Sequence, residues 1–274
     1  MTQPIKVSVI IPVKGRLHYV KEAINSIYSQ DFDLDRIEII VVEEKNYGDR
    51  IRDELKQNFP KIITIENNDD EGPGGSRNTG LQVAKGKHIL FLDSDDQIRS
   101  NFLSKMINIL ENDKSCSGAV CFSQSFFHTD FNFFERIKLY PLMFIRDMSL
   151  VSAFLFNKRN LYKTSFYLCQ ISHMLFKADA VKTLKFNYSY RRGGEDWDFF
   201  IQALSCGGIR ILPERLLKFR YSPGSSTDTL LNRRLKWKSY ALLANSLPLN
   251  FKQGIFYKLF LNYINLFKTK NNGN

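Results

Sequence analysis

Apolar residues fall along this chain in short unbroken runs, separated by stretches with helical spacing. Residues 7–11, apolar apart from Ser8 and rich in β-branched side chains, predict a strand buried on both faces and ended by Pro12. Leu17, Val20, Ala23, Ile24 and Ile27 then recur at helical spacing. A second buried strand is predicted over 37–42, closing on Glu43-Glu44. An amphipathic helix follows over 49–59, a short third strand over 62–65 and a helix over 76–84. Ile89-Leu90-Phe91-Leu92 is a fourth apolar run. Phe102, Met106, Ile109 and Leu110 mark a further helix, 119–122 another strand, and 166–176 a return to the sheet. Residues 126–156 are rich in aromatics without regular pattern, and read as an excursion from the sheet, either an ordinary insertion or a lid. Trp197, Phe200, Ile201 and Leu204 follow at i, i+3, i+4 and i+7, so a helix begins near Glu195 with its apolar face inward. Strands alternating with helices predict a parallel, doubly wound sheet.

The polar residues that interrupt this pattern carry the candidate chemistry. The fourth run stops abruptly at Asp93-Ser94-Asp95-Asp96. Ligands of α/β sheets bind just beyond the carboxyl ends of strands. Carboxylates this close repel one another unless a cation lies between them, and Mg²⁺ or Mn²⁺ suits oxygen ligands and phosphates. An Asp-rich turn capping the helix from Asn101 explains the same residues equally well. The loop 67–75 is rich in glycine and acid. It is not a P-loop, because Leu81 stands where the lysine belongs. Nor is it a dinucleotide fingerprint, because Arg77 takes the third glycine position. It feeds a helix N-terminus with Arg77 on the first turn, as an anion site or as a plain loop. Glu195 and Asp196 follow Gly193-Gly194 at a helix start, where the helix dipole favours negative charge; one of them could also serve as a general base.

Composition narrows the setting. A chain of 274 residues with 43% hydrophobic residues suits one large domain, or one domain with an appendage. No run reaches the ~18 apolar residues of a spanning helix, and the start shows no signal-peptide pattern. Four cysteines without a C-x-x-C pair are expected to be free thiols in a reducing cytoplasm. The net charge of +11 is concentrated at one end: everything after Asp228 is acid-free and carries eight Lys and Arg. There Phe251, Ile255, Phe256, Leu259, Phe260, Tyr263, Ile264 and Phe267 form a broad helical stripe. This reads as an amphipathic helix on an anionic membrane surface, or as a helix docked on the domain. Nucleic acid is not an expected partner, since the tail lacks a nucleic-acid motif and its apolar face is too wide for a solvated arm.

In this order and spacing the motifs resemble glycosyltransferase family 2 with the GT-A fold, over about residues 5–225. Val7-Ser8-Val9-Ile10-Ile11-Pro12 resembles the opening strand and Ile39-Ile40-Val41-Val42 the second. Gly75-Ser76-Arg77-Asn78-Thr79-Gly80-Leu81 resembles the family's Ala-Arg-Asn-x-Gly-Leu segment. Asp93-Ser94-Asp95 is similar to the D-x-D motif, and Glu195-Asp196 to the Glu-Asp motif. The resemblance implies an α/β, Rossmann-like, mostly parallel sheet flanked by helices, with a C-terminal helical extension. A catalytic domain over 1–225 would comprise a nucleotide-sugar half (about 1–98) and an acceptor-side half (about 99–225), followed by the basic extension 226–274.

The implied activity is inverting transfer of a sugar from a nucleotide-diphosphate sugar, UDP favoured, to a hydroxyl of a glycan or lipid-linked acceptor in bacterial surface-polysaccharide synthesis. The protein would be cytoplasmic, peripheral on the inner face of the membrane. Asp95, helped by Asp93, would hold Mn²⁺ or Mg²⁺. Pro12, Val13, Lys14, Glu43, Arg77, Asp93 and Ser94 would surround the nucleotide. Asp196, kept ionised by its helix-end position, would be the base, with Gly194, Glu195 and Trp197 on the acceptor side and Asp96 in a supporting or capping role. Two departures stand out. Glu43-Glu44-Lys45-Asn46 replaces the family's paired aspartates with Gly-Ser, and Ser222 stands where many relatives have a histidine. The alternative expectation is a nucleotide-sugar or polyanion binder that has lost catalysis.

Overall fold

The computed structural model describes residues 3–45, 49–127, 170–190 and 194–221. In chain order these form β1 (Val7–Val13), α1 (Leu17–Tyr28), β2 (Ile37–Glu43), α2 (Asp49–Asn58), β3 (Ile63–Glu66), α3 (Pro73–Val83) and β4 (His88–Phe91). There follow β5 (Gln97–Ile98), α4 (Phe102–Asn112), β6 (Cys116–Phe127), β7 (Met174–Lys177), α5 (Glu195–Ser205) and β8 (Gly208–Tyr221). Outside the described residues lie Asn46, Gly193, Ser222, Cys169, most of the aromatic excursion, the start of its return, and the whole 226–274 extension with its expected amphipathic helix. Among the described residues, Cys116, Cys121 and Cys206 are free.

The strands make one sheet in the order β3-β2-β1-β4-β7-β6-β8-β5. Its first four strands are parallel, as the alternation of elements predicts. Beyond β4 the sheet is mixed. β7 runs antiparallel to both β4 and β6, β6 and β8 are parallel, and β5 is antiparallel to β8. The doubly wound parallel expectation therefore holds for one half and is corrected for the other.

Strand periodicity divides the core into two layers. On β1, Val7, Val9, Ile11 and Val13 face α1 and α4, packing with Val20, Ile24, Ile27, Phe102 and Met106. Ile10 faces the other way, towards Leu81 of α3 and Phe199 and Phe200 of α5. Because both faces are covered, these strands are apolar without alternation.

Pro12 does not end β1, which continues to Val13 with Pro12 in register with Val42. The carbonyl of Lys6 accepts the N–H of His88 in β4 and that of Ile10 the N–H of Leu92 just beyond it, while that of Val13 accepts the N–H of Glu44 beyond β2. The N–H that Pro12 lacks falls on the β4 side, where the next rung would run to the carbonyl of Leu92, so the β1–β4 ladder stops there while the β1–β2 ladder continues to Val13. α3 starts three residues earlier than expected. Pro73 occupies its first position after Gly72, whose φ of 110° suits glycine. α4 is not capped by the aspartates: β5 intervenes, and Asn101 is its N-cap residue, without a side-chain cap bond.

Candidate active site

The residues expected on the donor side from β1, β2 and β4 lie at the carboxyl edge of the parallel strands. Pro12 and Val13 finish β1 and Glu43 finishes β2; Asp93, Ser94 and Asp95 follow β4 directly. Lys14 is exposed in the β1–α1 loop, 3.8 Å from Glu71. Gly194, at φ 107°, is the N-cap residue of α5 and places Glu195, Asp196 and Trp197 in its first turn.

The segment resembling Ala-Arg-Asn-x-Gly-Leu places each residue differently. Gly75 and Gly80 permit close approach: a Cβ at Gly75 would run into the carbonyl of Asp70, and one at Gly80 into Ile10, with Val42 at 3.2 Å. Asn78 exchanges two hydrogen bonds with the backbone of Phe186. Its amide donates to the carbonyl at 3.1 Å and its oxygen accepts the N–H at 2.8 Å. Thr79 donates to Asn67 and accepts the N–H of Asn68. Arg77 is 3% exposed, and its guanidinium donates to Asp93 Oδ1 at 2.6 Å and to Asp196 Oδ1 at 2.9 Å. It also lies over the ring of Phe186, 5.2 Å from its centroid. Arg77 therefore ties the expected donor-side carboxylate to the expected base, 119 residues further along the chain.

An aromatic cluster fixes α5 against the sheet. Phe186 and Phe199 stack at 4.1 Å, and Phe91 of β4 meets both edge-on. Phe91 is two residues from Asp93 and Phe199 three from Asp196, so this packing sets the separation of the two carboxylates.

The electrostatics follow from burial and crowding. Burial raises the carboxyl of Asp196 to about 7; Arg77 pulls it down, while Glu195 and Asp93 push it up. The helix end does not keep it fully ionised at neutral pH, a correction to the sequence-based expectation: burial outweighs the dipole. Asp95 is raised to about 6 by burial and then by Asp93, against Arg16 and Arg220. Asp96, fully buried, is pushed well above the carboxylate range by burial, Asp95 and Asp93. Burial alone would lower the guanidinium of Arg77, but Asp196, Asp93 and Glu195 raise it, so it stays charged.

The two glutamates after β2 are both engaged. Glu43, 3% exposed, pairs with Arg52 of α2 at 3.1 Å. Glu44 accepts from Asn67 at 2.9 Å and from the N–H of Gly72 at 2.7 Å, fastening the glycine-rich loop to β2.

Sequence reasoning missed Ser172 and Arg220. Ser172 Oγ accepts the N–H of Asp93 at 3.1 Å. Arg220, 8% exposed, donates from Nε to the carbonyl of Asp95 at 2.9 Å and from its backbone N–H to Asp96 Oδ1 at 3.1 Å. Neither sits in a motif. Arg220 follows Arg215 and Lys218 in a stretch that is already basic, so its residue type gives no signal in the sequence.

A family model described as glycosyl transferase family 2 matches residues 8–182. The chain is 33% identical over 113 residues to a poly(ribitol-phosphate) beta-glucosyltransferase of Bacillus spizizenii, a match covering 40% of this chain and 18% of that protein. This chain thus spans under a fifth of that relative. It is 28% identical over 205 residues to the UDP-Glc:alpha-D-GlcNAc-diphosphoundecaprenol beta-1,3-glucosyltransferase WfaP of Escherichia coli, covering 73% of this chain and 71% of the relative. Among solved structures, the mannosyltransferase PcManGT of Pyrobaculum calidifontis, in complex with GDP-Man and Mn²⁺, superposes with a TM-score of 0.66 at 16% identity. That match covers 95% of this chain and 70% of that one, and at that identity the likeness is one of fold.

Proposed function

The chain belongs to glycosyl transferase family 2, and from that premise we propose that it transfers a sugar, with inversion, from a nucleotide-diphosphate sugar to a hydroxyl of a glycan or lipid-linked acceptor. The observation that carries this reading is the Arg77 bridge between Asp93 and Asp196. A nucleotide-sugar binder has no use for a buried base beside its donor carboxylates; a transferase needs both within one sugar's reach. In the proposed step Asp196 accepts the proton of the acceptor hydroxyl. The acceptor oxygen bonds to the anomeric carbon as the bond to the diphosphate breaks and the nucleoside diphosphate leaves. A carboxyl raised to about 7 is matched to taking a proton near neutral pH.

The donor set fits Mg²⁺ or Mn²⁺. Asp93 and Asp95 stand on one turn, where burial first and then Asp93 raise the carboxyl of Asp95. Among the described residues no third His, Cys, Asp or Glu completes a cage. Two carboxylates leave coordination positions for phosphate oxygens, the usual arrangement for Mg²⁺. Such an ion would neutralise charge on the departing diphosphate. Lys14, in the exposed β1–α1 loop, is the side chain assigned to the phosphates. We favour UDP as the nucleotide, in line with the UDP-Glc of the Escherichia coli relative's name.

The same reading places the reaction in surface-polysaccharide assembly at the inner face of the membrane. Among the described residues no helix is long and apolar enough to cross a membrane. We assign attachment to the acid-free stretch after Asp228. Deleting it should release the protein from anionic vesicles, and unchanged vesicle binding would sink that assignment.

The test of the activity is a panel of nucleotide sugars, scored by thermal shift with and without Mn²⁺ and then for transfer to lipid-linked acceptors. The reading requires at least one donor to raise the melting temperature and to be consumed by wild type but not by Asp196→Asn. Donor binding without transfer on any acceptor would favour a binding protein instead.

A further inference from the structure

We infer that Arg220 is a positioning residue that holds the Asp93–Asp96 turn in the shape the donor diphosphate and its cation require, an inference that rests on the function proposed above. The turn crowds three acidic side chains into four residues. Only one backbone bond closes it from within, the N–H of Asp96 to the carbonyl of Asp93 at 3.0 Å. Arg220 closes it from behind. Its Nε holds the carbonyl of Asp95, and its backbone N–H holds the carboxylate of Asp96. Both residues of the Asp95–Asp96 peptide link are therefore pinned by one residue of β8.

Arg220 is itself held from several sides. Its guanidinium lies 4.4 Å from the ring centroid of Tyr19 on α1 and 4.5 Å from that of Phe126, its register partner on β6. It pairs with Glu22 of α1, and Glu22 also accepts from Gln97 at 2.8 Å, the residue that follows the turn. A planar group between two rings, anchored by a carboxylate, keeps one rotamer. The arrangement makes a prediction that simple core packing does not. Lysine keeps the charge but has neither the plane for the two rings nor an Nε–H at that distance from the backbone, so it should not substitute.

The experiment measures UDP affinity by isothermal titration at several Mn²⁺ concentrations, in wild type, Arg220→Lys, Arg220→Gln and Glu22→Gln, alongside cooperative thermal unfolding. Both Arg220 variants should bind UDP at least tenfold more weakly at saturating Mn²⁺ and need more Mn²⁺ for half-maximal binding. In transfer assays the donor KM should rise while the acceptor KM holds. If the Arg220 variants fail to fold, Glu22→Gln decides. It changes a half-exposed carboxylate and should give a smaller shift in the same direction, and no shift overturns the role. Wild-type binding with unaltered affinity in Arg220→Lys also overturns it. Absence of UDP binding by wild type instead refutes the functional reading, and this inference falls with it.

Discussion

The two halves of the sheet are built differently, and the candidate site lies where they meet. The parallel half, β3-β2-β1-β4, is a repeating strand–helix unit whose loops present Lys14, the Glu44-tethered glycine loop and the Asp93–Asp95 turn. The mixed half, β7-β6-β8-β5, brings Ser172, Arg220 and the helix bearing Asp196 from far along the chain. Local sequence is enough to specify the first. The second depends on partners 79 to 125 residues away, so its function lies in what it does to the first. In this reading the parallel half holds the donor and the mixed half supplies the base and the constraints. Substitutions in each half should therefore fail in different ways.

The largest effect is expected from Asp196→Asn. Loss of a general base should lower kcat about 10²–10⁴-fold while UDP affinity stays near wild type, because the change lies in the mixed half. Turnover and isothermal titration on the same preparation check it. A parallel fall in UDP affinity would show that the halves are not divided in this way.

Arg77→Met cuts the link between the halves and comes next. It leaves Asp93 and Asp196 without their shared cation. Stability should fall by about 3 kcal/mol, the low end for breaking a buried pair because both carboxylates are partly exposed. Arg77 pulls the Asp196 carboxyl down, so removing it should move the neutral limb of the pH–rate profile to higher pH. Denaturant unfolding and that profile are the readouts. An unmoved limb would mean that Arg77 does not act on Asp196 in the working enzyme.

Gly80→Ala probes the parallel half alone. The added Cβ meets Ile10 and Val42, so overpacking should cost about 1–3 kcal/mol without changing the pH profile. A shifted profile would show that strain in the parallel half reaches the base.

The same contrast explains what the sequence made legible. Residues 7–11 and 37–42 stand out because both their faces are covered, which leaves an apolar run that periodicity alone detects. Asp93 and Asp95 were legible because they follow directly on such a run, and Asp196 because it opens a helix whose apolar spacing is regular. The start of α3 was not, since Pro73-Gly74-Gly75 looks like a loop; Gly75 is required by its contact with Asp70, which no local pattern encodes. β8 was missed entirely. Its inward residues are interrupted around Pro213-Glu214-Arg215, and its register with β6 shifts at Phe122 and Ser123. β5 has two residues and exists only through its pairing with β8. Arg220 and Ser172 act through backbone groups, leaving no residue-type signature for a motif to capture.

Titration across the two halves sharpens the comparison through pH. Asp196 is raised to about 7 and Asp95 to about 6, from an ordinary value of 3.8. A carboxyl raised on folding binds more protons in the native state than in the unfolded chain between those values. Stability should therefore fall as pH rises, from about 4 to 6 through Asp95 and from about 4 to 7 through Asp196. Asp95→Asn should remove the first part of that slope and Asp196→Asn the second. Melting curves between pH 4 and 8 for wild type, the two single variants and the double variant separate the contributions. If each half titrates as a unit, the two losses add in the double variant, leaving the part of the slope that Asp96 and Asp198, also raised by burial, contribute. If the double variant instead loses less than the sum, the carboxylates are coupled across the Arg77 bridge, and the division into donor and acceptor halves is energetically incomplete.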